Sequence, residues 1–172
     1  EDYSFTCSDR CFCCSCNKDL NNTSNYKNNY WKNNGVYGDE NFTPISIQLL
    51  DEFSKNVQGE LLPNNRYKIK MNFTIQQPDK FTDFWIIFRI GESEIFRFYE
   101  MDPGKYLQSD GFATVIYDIP QEYILNGIKY EILLGASIKN TKWIINHFNK
   151  DVVLYAKVKY IKENLPENIL ID

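Results

Sequence analysis

The chain has 172 residues and a mass of 20.3 kDa, which predicts one domain with room for terminal segments. A net charge of −4 and an isoelectric point of about 5.1 argue against a nucleic-acid surface, and no apolar stretch approaches the length of a membrane span. The single histidine, His147, excludes most catalytic sites that depend on histidine, so we expect no enzymatic activity and no cofactor.

All the cysteines lie at the start of the chain, in the spacing Cys-x3-Cys-x-Cys-Cys-x-Cys. Because no cysteine follows residue 16, these thiols cannot bridge to the rest of their own chain. They pair locally, pair with another chain, or bind a soft metal such as zinc or Cu(I). Intermolecular disulfides are our main interpretation; metal binding and a locally paired or partly reduced tail are the alternatives. The residues are Cys7, Cys11, Cys13, Cys14 and Cys16.

Cysteine usage and glycosylation sequons favour an extracellular or cell-surface location. The start at Glu1 indicates a removed signal peptide or a trimmed sequence. The sequon at Asn41 is followed directly by Pro44, which weakens it as an acceptor. The remaining glycosylation candidates are Asn21, Asn22 and Asn72.

Residues 17–42 are polar and rich in asparagine, with no apolar period of a helix or a strand. We therefore expect residues 1–42 to form an extended N-terminal arm. Four aromatic residues are embedded in it, Tyr26, Tyr30, Trp31 and Tyr37. Rings between asparagine amides suit a subunit interface, a sugar-stacking platform, or packing against the chain's own domain.

From Pro44 onward, apolar and polar residues alternate in short runs, which predicts β-strands. The most regular run covers residues 67–76, where the alternation predicts one buried and one solvated face. A helix through Ile47, Leu50, Phe53 and Val57 is the rival interpretation of the first run. The other predicted strands cover residues 45–49, 84–90, 94–99, 112–119, 129–138, 142–148 and 152–162.

About eight strands separated by turn residues predict an all-β fold, an antiparallel β-sandwich of immunoglobulin-like or jelly-roll type. We assign the sandwich to residues 43–162 and a C-terminal tail to residues 163–172. Within it, the run FWIIFRI at residues 84–90 is apolar on both faces, which predicts a central strand.

The remaining polar candidates favour ordinary structural roles. His147 stands between apolar residues, where a packed or surface histidine is more common than a catalytic base. The acidic pairs Glu92/Glu94 and Glu100/Asp102 stand beside turns, where solvated charges are more common than calcium ligands. We therefore predict no metal site apart from the alternative at the cysteines.

Two runs resemble known families. Residues 45–75 resemble the opening of bacterial immunoglobulin-like domains, although Asn64 stands where glycine is usual. Residues 112–138 (FATVIYDIPQEYILNGIKYEILLGASI) are similar to the β-sandwich that ends O-antigen ABC transporters, and no ATPase portion is present. The second resemblance implies a sandwich over residues 45–161 and polysaccharide as the ligand.

The segment Phe12-Cys13-Cys14-x-Cys16 resembles the N-terminal connectors on jelly-roll subunits of bacterial endospore appendages. That resemblance implies disulfides between copies of the chain. We accordingly predict a non-enzymatic extracellular structural subunit that self-assembles into a filament, appendage or coat through its arm. The alternative is a secreted or cell-surface module of adhesin or lectin type that binds carbohydrate or a host ligand. Under these two interpretations, we expect the partners of the chain to be copies of itself or glycans, and we expect no binding to nucleic acid.

Overall fold

The computed structural model describes residues 29–79, 81–149 and 152–163. This part of the chain contains nine strands and three short 3₁₀ helices, and none of its helices is long or apolar enough to cross a membrane. The strands are β1 (Tyr30–Lys32), β2 (Thr43–Asp51), β3 (Tyr67–Thr74), β4 (Thr82–Ile90), β5 (Ser93–Glu100), β6 (Phe112–Ile119), β7 (Lys129–Ile138), β8 (Lys142–Ile145) and β9 (Val152–Lys157). The 3₁₀ helices are Pro103–Tyr106, Gln121–Tyr123 and His147–Asn149.

Two antiparallel sheets form a β-sandwich, which confirms the predicted fold class. One sheet has the order β1-β2-β3-β6, and the other has β5-β4-β7, with β8 and β9 both pairing with β7. Every strand predicted from the sequence is present, but two of them are shorter than predicted. β8 ends at Ile145, so that the end of the predicted strand 142–148 belongs to a 3₁₀ helix, and β9 ends at Lys157 rather than at residue 162. The rival helix is wrong, because β2 pairs along its whole length with β3 and residues 52–57 form a turn and an isolated bridge.

The order of the strands identifies the sandwich as immunoglobulin-like rather than jelly-roll. β3 leads across to β4, β4 and β5 form a hairpin, and the chain then crosses back so that β6 pairs with β3. The buried Tyr130, near the start of β7, donates a hydrogen bond from its hydroxyl to the backbone carbonyl of Tyr123. This contact is the tyrosine corner that is characteristic of immunoglobulin-like sandwiches.

The core lies between the sheets and is built by alternation along the strands. In β3, the apolar positions are buried and the intervening lysines and Asn72 are half-buried, as the period of two requires. At one end of the core, the rings of Phe42, Phe73 and Phe84 lie 5.2–5.6 Å apart by centroid. All three side chains are fully buried, so they join the two sheets and the segment before β2 in one cluster.

The edge beside β7 is formed by two strands with an interruption between them. β8 pairs with residues 136–138 of β7, and β9 pairs with residues 129–133. Between these strands the chain leaves the edge, and the short helix His147–Asn149 forms there. The interruption brings His147 and Phe148 to the outer face of the sheet, where they meet Trp85 and Trp143.

The sheet begins earlier than the sequence predicts. Tyr30–Lys32 lies in the predicted arm, yet it forms β1 and pairs with β2, with Trp31 opposite Ile47. Three residues are too few for a periodic pattern to reveal a strand. The cysteines, Asn21, Asn22 and Tyr26 lie outside the described residues, as do residues 164–172, so the division into arm, sandwich and tail stays a prediction.

Candidate functional site

The outer face of the five-stranded sheet carries an apolar surface at β4. Phe84, Ile86 and Phe88 point into the core, so the alternate residues of the strand point outward. Two of these, Trp85 and Ile87, are nonetheless buried and form a second apolar cluster with Leu133 of β7. Since the solvent face of a sandwich is ordinarily polar, this outer cluster is a candidate site.

Aromatic rings cover this cluster. The centroid of Trp85 lies 5.5 Å from that of Trp143, 5.3 Å from that of His147 and 6.2 Å from that of Tyr99. Phe148 lies 4.1 Å from His147 and 5.7 Å from Trp143. Trp85 is only 6% exposed, whereas Trp143 is 45% and Phe148 is 69% exposed. The buried indole thus supports Trp143 directly and Phe148 through Trp143 and His147, and both outer rings present apolar surface to solvent.

Gly135 explains why the indole of Trp85 lies flat against the sheet. This residue of β7 pairs directly with Trp85 of β4. A Cβ atom at Gly135 would lie 2.2 Å from Nε1 of Trp85, which is far inside van der Waals contact. The glycine therefore leaves open the space that the indole occupies.

One hydrogen bond orients the aromatic cluster. Nε1 of Trp85 donates to Nδ1 of His147 at 2.9 Å. The indole nitrogen can only donate, so Nδ1 must be unprotonated and the imidazole is neutral. Burial lowers the pKa of His147, the nearby Arg97 lowers it further, and Glu94 partly offsets both effects.

Protonation of His147 is expected to destabilise the domain at mildly acidic pH. Its pKa is lowered in the folded state, so stability is complete above the unfolded value of about 6.5 and falls as the pH decreases through it. The loss stops once the lower, folded-state pKa is passed. Urea unfolding between pH 7.5 and 5 measures this, and His147→Asn should remove the dependence near pH 6, because asparagine can accept the indole hydrogen bond without titrating. An identical profile in the variant would contradict the assignment.

Charged pairs border the aromatic cluster. Arg97 binds Glu94 through two hydrogen bonds, from Nε to Oε1 at 2.5 Å and from Nη2 to Oε2 at 2.6 Å. The hydrogen bond from Arg97 lowers the pKa of Glu94, and both side chains are more than a third exposed. Nearby, Arg89 pairs with Glu131 at 2.7 Å. Guanidinium donors and carboxylate acceptors therefore stand next to the exposed rings.

Most of these side chains line an open groove of about 540 Å³. Its floor is Trp85, Ile87 and Leu133, and the rest of its lining is Trp143, His147, Phe148, Arg89, Glu92, Glu94 and Arg97. Small-molecule sites typically have volumes of about 300–1,000 Å³ and combine apolar walls with a few polar groups. We call this site the aromatic groove.

The aromatic residues predicted in the arm lie elsewhere. Trp31 and Tyr37 contact each other edge to face at 5.6 Å, and both pack against the core beside β2. Asn33 donates to the carbonyls of Tyr37 and Pro44, so its amide organises this loop rather than facing a ligand. Packing on the chain's own domain thus describes both rings, and a role of Tyr30, Trp31 and Tyr37 in an interface or in glycan stacking stays a prediction.

Asn72, the one described glycosylation candidate, lies in the middle of β3. Its amide donates to Oγ of Ser46 at 3.0 Å, and its carbonyl accepts from Oγ1 of Thr114 at 2.7 Å. The side chain thereby links three adjacent strands on the outer face of the four-stranded sheet. Its glycosylation stays a prediction.

Two of the acidic residues weighed in the sequence line the aromatic groove, namely Glu92 and Glu94. Glu100 instead is buried, accepts from the hydroxyl of Tyr106 at 3.0 Å and pairs with Lys105 at 2.8 Å. Among the described residues, no group of three or more histidine, cysteine or carboxylate side chains could hold a metal ion.

The aromatic groove is not predicted from the sequence. The apolar run at residues 84–90 predicts only a central strand for Trp85, and no sequence pattern connects His147, Trp143 or Phe148 with it. One signal was present, because a strand of a two-layer sandwich has one outward face, and FWIIFRI leaves that face apolar. The convergence of the other rings depends on the interruption between β8 and β9, which has no sequence signature of its own.

Comparison with known proteins supports the fold. The structure is similar to the crystal structure of the C-terminal domain of Wzt, with a TM-score of 0.50 and 12% sequence identity over 73% of this chain and 78% of that chain. No family model matches the sequence, and no curated protein sequence matches it. The resemblance to this solved structure therefore concerns the β-sandwich fold.

Proposed function

We propose that this chain is a non-enzymatic carbohydrate-binding β-sandwich module, and that the aromatic groove binds the glycan. The observation that carries the proposal is the group of exposed rings, Trp143 and Phe148, supported on the buried Trp85 and bordered by the bidentate Arg97–Glu94 pair. The resemblance of residues 112–138 to the sandwich of O-antigen ABC transporters favours the same ligand class, and the likeness to the C-terminal domain of Wzt supports the fold on which the site stands.

The chemistry of the groove suits a sugar. A pyranose ring has an apolar C–H face, which packs on an aromatic ring, and a rim of hydroxyl groups, which exchange hydrogen bonds with guanidinium and carboxylate groups. Trp143 offers the aromatic face, while Arg97 and Glu94 offer donors and acceptors within the same groove. The hydrogen bond between Trp85 and His147 holds the floor in place before the ligand arrives, which reduces the entropy lost on binding.

Glycan-array binding tests this function. Replacing Trp143 by alanine is expected to weaken glycan binding about tenfold or more, because it removes an exposed stacking ring. Phe112→Ala is the matched control, since Phe112 is similarly exposed but lies on β6 of the other sheet. Binding that is absent in the unmodified protein, or lost equally in both variants, would refute the proposal.

Self-assembly is the second candidate function, and the confinement of all cysteines to residues 7–16 favours it. In an extracellular or cell-surface location, these thiols would cross-link copies of the chain. We expect a ladder of multimers on a non-reducing gel and a single band after reduction. Replacing all five cysteines by serine should abolish the ladder, and a monomeric band under both conditions would contradict this function.

A further inference from the structure

A second cleft adjoins the aromatic groove on the same face of the sheet. Its volume is about 340 Å³, and its lining includes Phe81, Asp83, Tyr99 and Met101. Phe81 and Met101 are both more than half exposed. This cleft lies at the start of β4 and the end of β5, where the chain enters and leaves the hairpin.

The floor of the second cleft is polar and held in place by hydrogen bonds. Asp83 is buried and accepts from the hydroxyl of Tyr99 at 2.8 Å and from Oγ of Ser137 at 2.5 Å. The side chain of Tyr99 is thereby held from β5 across to Asp83 of β4, while Tyr99 stays 46% exposed. The cleft therefore combines an oriented ring, two apolar rim residues and a satisfied carboxylate.

Tyr99 connects the two clefts. It pairs with Trp85 across β4 and β5, and the centroids of the two rings lie 6.2 Å apart. From Asp83 in the second cleft to Arg89 in the groove, β4 advances by six residues, which corresponds to about 20 Å along an extended strand. A binding surface of this length exceeds a single sugar ring.

The charges along this surface nearly balance. The charged residues that line the groove are Arg89, Arg97, Glu92 and Glu94. Those that line the second cleft are Lys139, Asp83 and Asp102. Cationic side chains therefore do not outnumber acidic ones in either cleft, so nothing in this balance attracts a polyanion.

The surface presents side chains rather than free backbone. β4 and β7, which form the floor, are paired with a strand on both sides, so their backbone groups are engaged in the sheet. A peptide that binds by adding a strand requires an unpaired edge, which the edge strand β5 has and the floor strands β4 and β7 do not. A ligand that stacks on rings and reaches side-chain hydrogen-bond groups suits it better.

We propose that the ligand is a neutral polysaccharide chain that lies along β4 and occupies both clefts with successive sugar units, with Tyr99 between them. This inference rests on the proposed carbohydrate-binding function and adds the charge class and the length of the ligand. The chain stacks on Trp143 in the groove and on Tyr99 and Phe81 in the second cleft. Recognition therefore strengthens with chain length and does not depend on ionic attraction.

Calorimetric titration with oligosaccharide ladders tests this inference on the full chain. The probes are manno-, malto- and chito-oligosaccharides of one to six units, with oligogalacturonates as the acidic ladder. We expect a neutral hexasaccharide to bind about tenfold or more tightly than its monosaccharide, and its affinity to change less than about twofold between 50 and 500 mM NaCl. Phe81→Ser should lower the ratio of hexasaccharide to monosaccharide affinity, whereas Phe112→Ser, on the other sheet, should leave that ratio unchanged.

The outcomes separate this inference from the proposed function. Equal affinity for short and long neutral ligands that still depends on Trp143 would overturn the extended site and leave the carbohydrate-binding function standing. A ratio that Phe81→Ser does not alter would also overturn it. Preferential, salt-sensitive binding of oligogalacturonates would overturn the inference that the ligand is a neutral polysaccharide. No binding to any ladder or array glycan would overturn the function and the inference together.

Discussion

Replacing Gly135 by alanine is expected to destabilise the domain by about 2–3 kcal/mol, the cost of overpacking a close contact, and to abolish glycan binding. The added Cβ would lie 2.2 Å from Nε1 and 2.4 Å from Cε2 of Trp85. Because these atoms belong to a rigid, buried indole, the ring must move, which breaks the hydrogen bond to His147 and removes the support of Trp143. Urea unfolding and titration with the glycan identified on an array measure the two effects.

Two further variants isolate the cause. Gly104→Ala is the control for adding a methyl group, since the nearest atom to its Cβ would be Oδ1 of Asp102 at an ordinary 3.5 Å. The double variant Gly135→Ala with Trp85→Leu removes the ring that clashes. Its loss in free energy of unfolding should therefore be smaller than the sum of the losses in the two single variants. Strict additivity, or a Gly135→Ala variant as stable as Gly104→Ala, would show that the indole does not depend on the glycine.

The strands of this domain could be predicted because burial on one face leaves a local pattern. β3 shows this most clearly, since its apolar residues all face the core and its lysines do not. The choice between immunoglobulin-like and jelly-roll order could not be made in the same way. The strand order depends on the pairing of β3 with β6, which lies about forty residues later in the chain. Neither strand has a residue pattern that identifies the strand it pairs with.

The aromatic groove could be predicted only in part, for a related reason. The outward apolar residues of FWIIFRI belong to one strand, and their unusual pattern was visible. The partners of Trp85 come from elsewhere: Gly135 stands fifty residues away in β7, and His147 arrives through an interruption in the edge strand. Sequence spacing contains no information on that convergence, which follows from the register of the sheet and from the interruption of its edge.

The segment around β1 shows that a polar, asparagine-rich composition does not by itself predict a disordered segment. The segment is polar and rich in asparagine, which predicts a loop or an arm. Asn33 nevertheless bonds two backbone carbonyls, and Trp31 packs against the core. Asparagine here satisfies backbone groups in a compact loop, and the interspersed aromatic residues were the feature that distinguished it from a linker.

Phe84→Ala is expected to have the largest effect on stability, a loss of about 3–5 kcal/mol, because it empties a fully buried site between the sheets. The deletion removes the ring that contacts both Phe42 and Phe73, and these partners belong to separate parts of the chain. Thermal and urea unfolding measure the loss. Phe112→Ala deletes the same side chain from an exposed position on β6 and should change stability by less than about 0.5 kcal/mol.

The same variant also tests the separation of the two faces of β4. Phe84 points into the core and Trp85 into the groove, so loss of the first should lower stability while the folded fraction still binds glycan. Trp143→Ala should do the reverse, because its ring is nearly half exposed and stacks outside the core. A Phe84→Ala protein that folds at low temperature but fails to bind would show that the groove depends on core packing, and the strand would then couple stability to recognition.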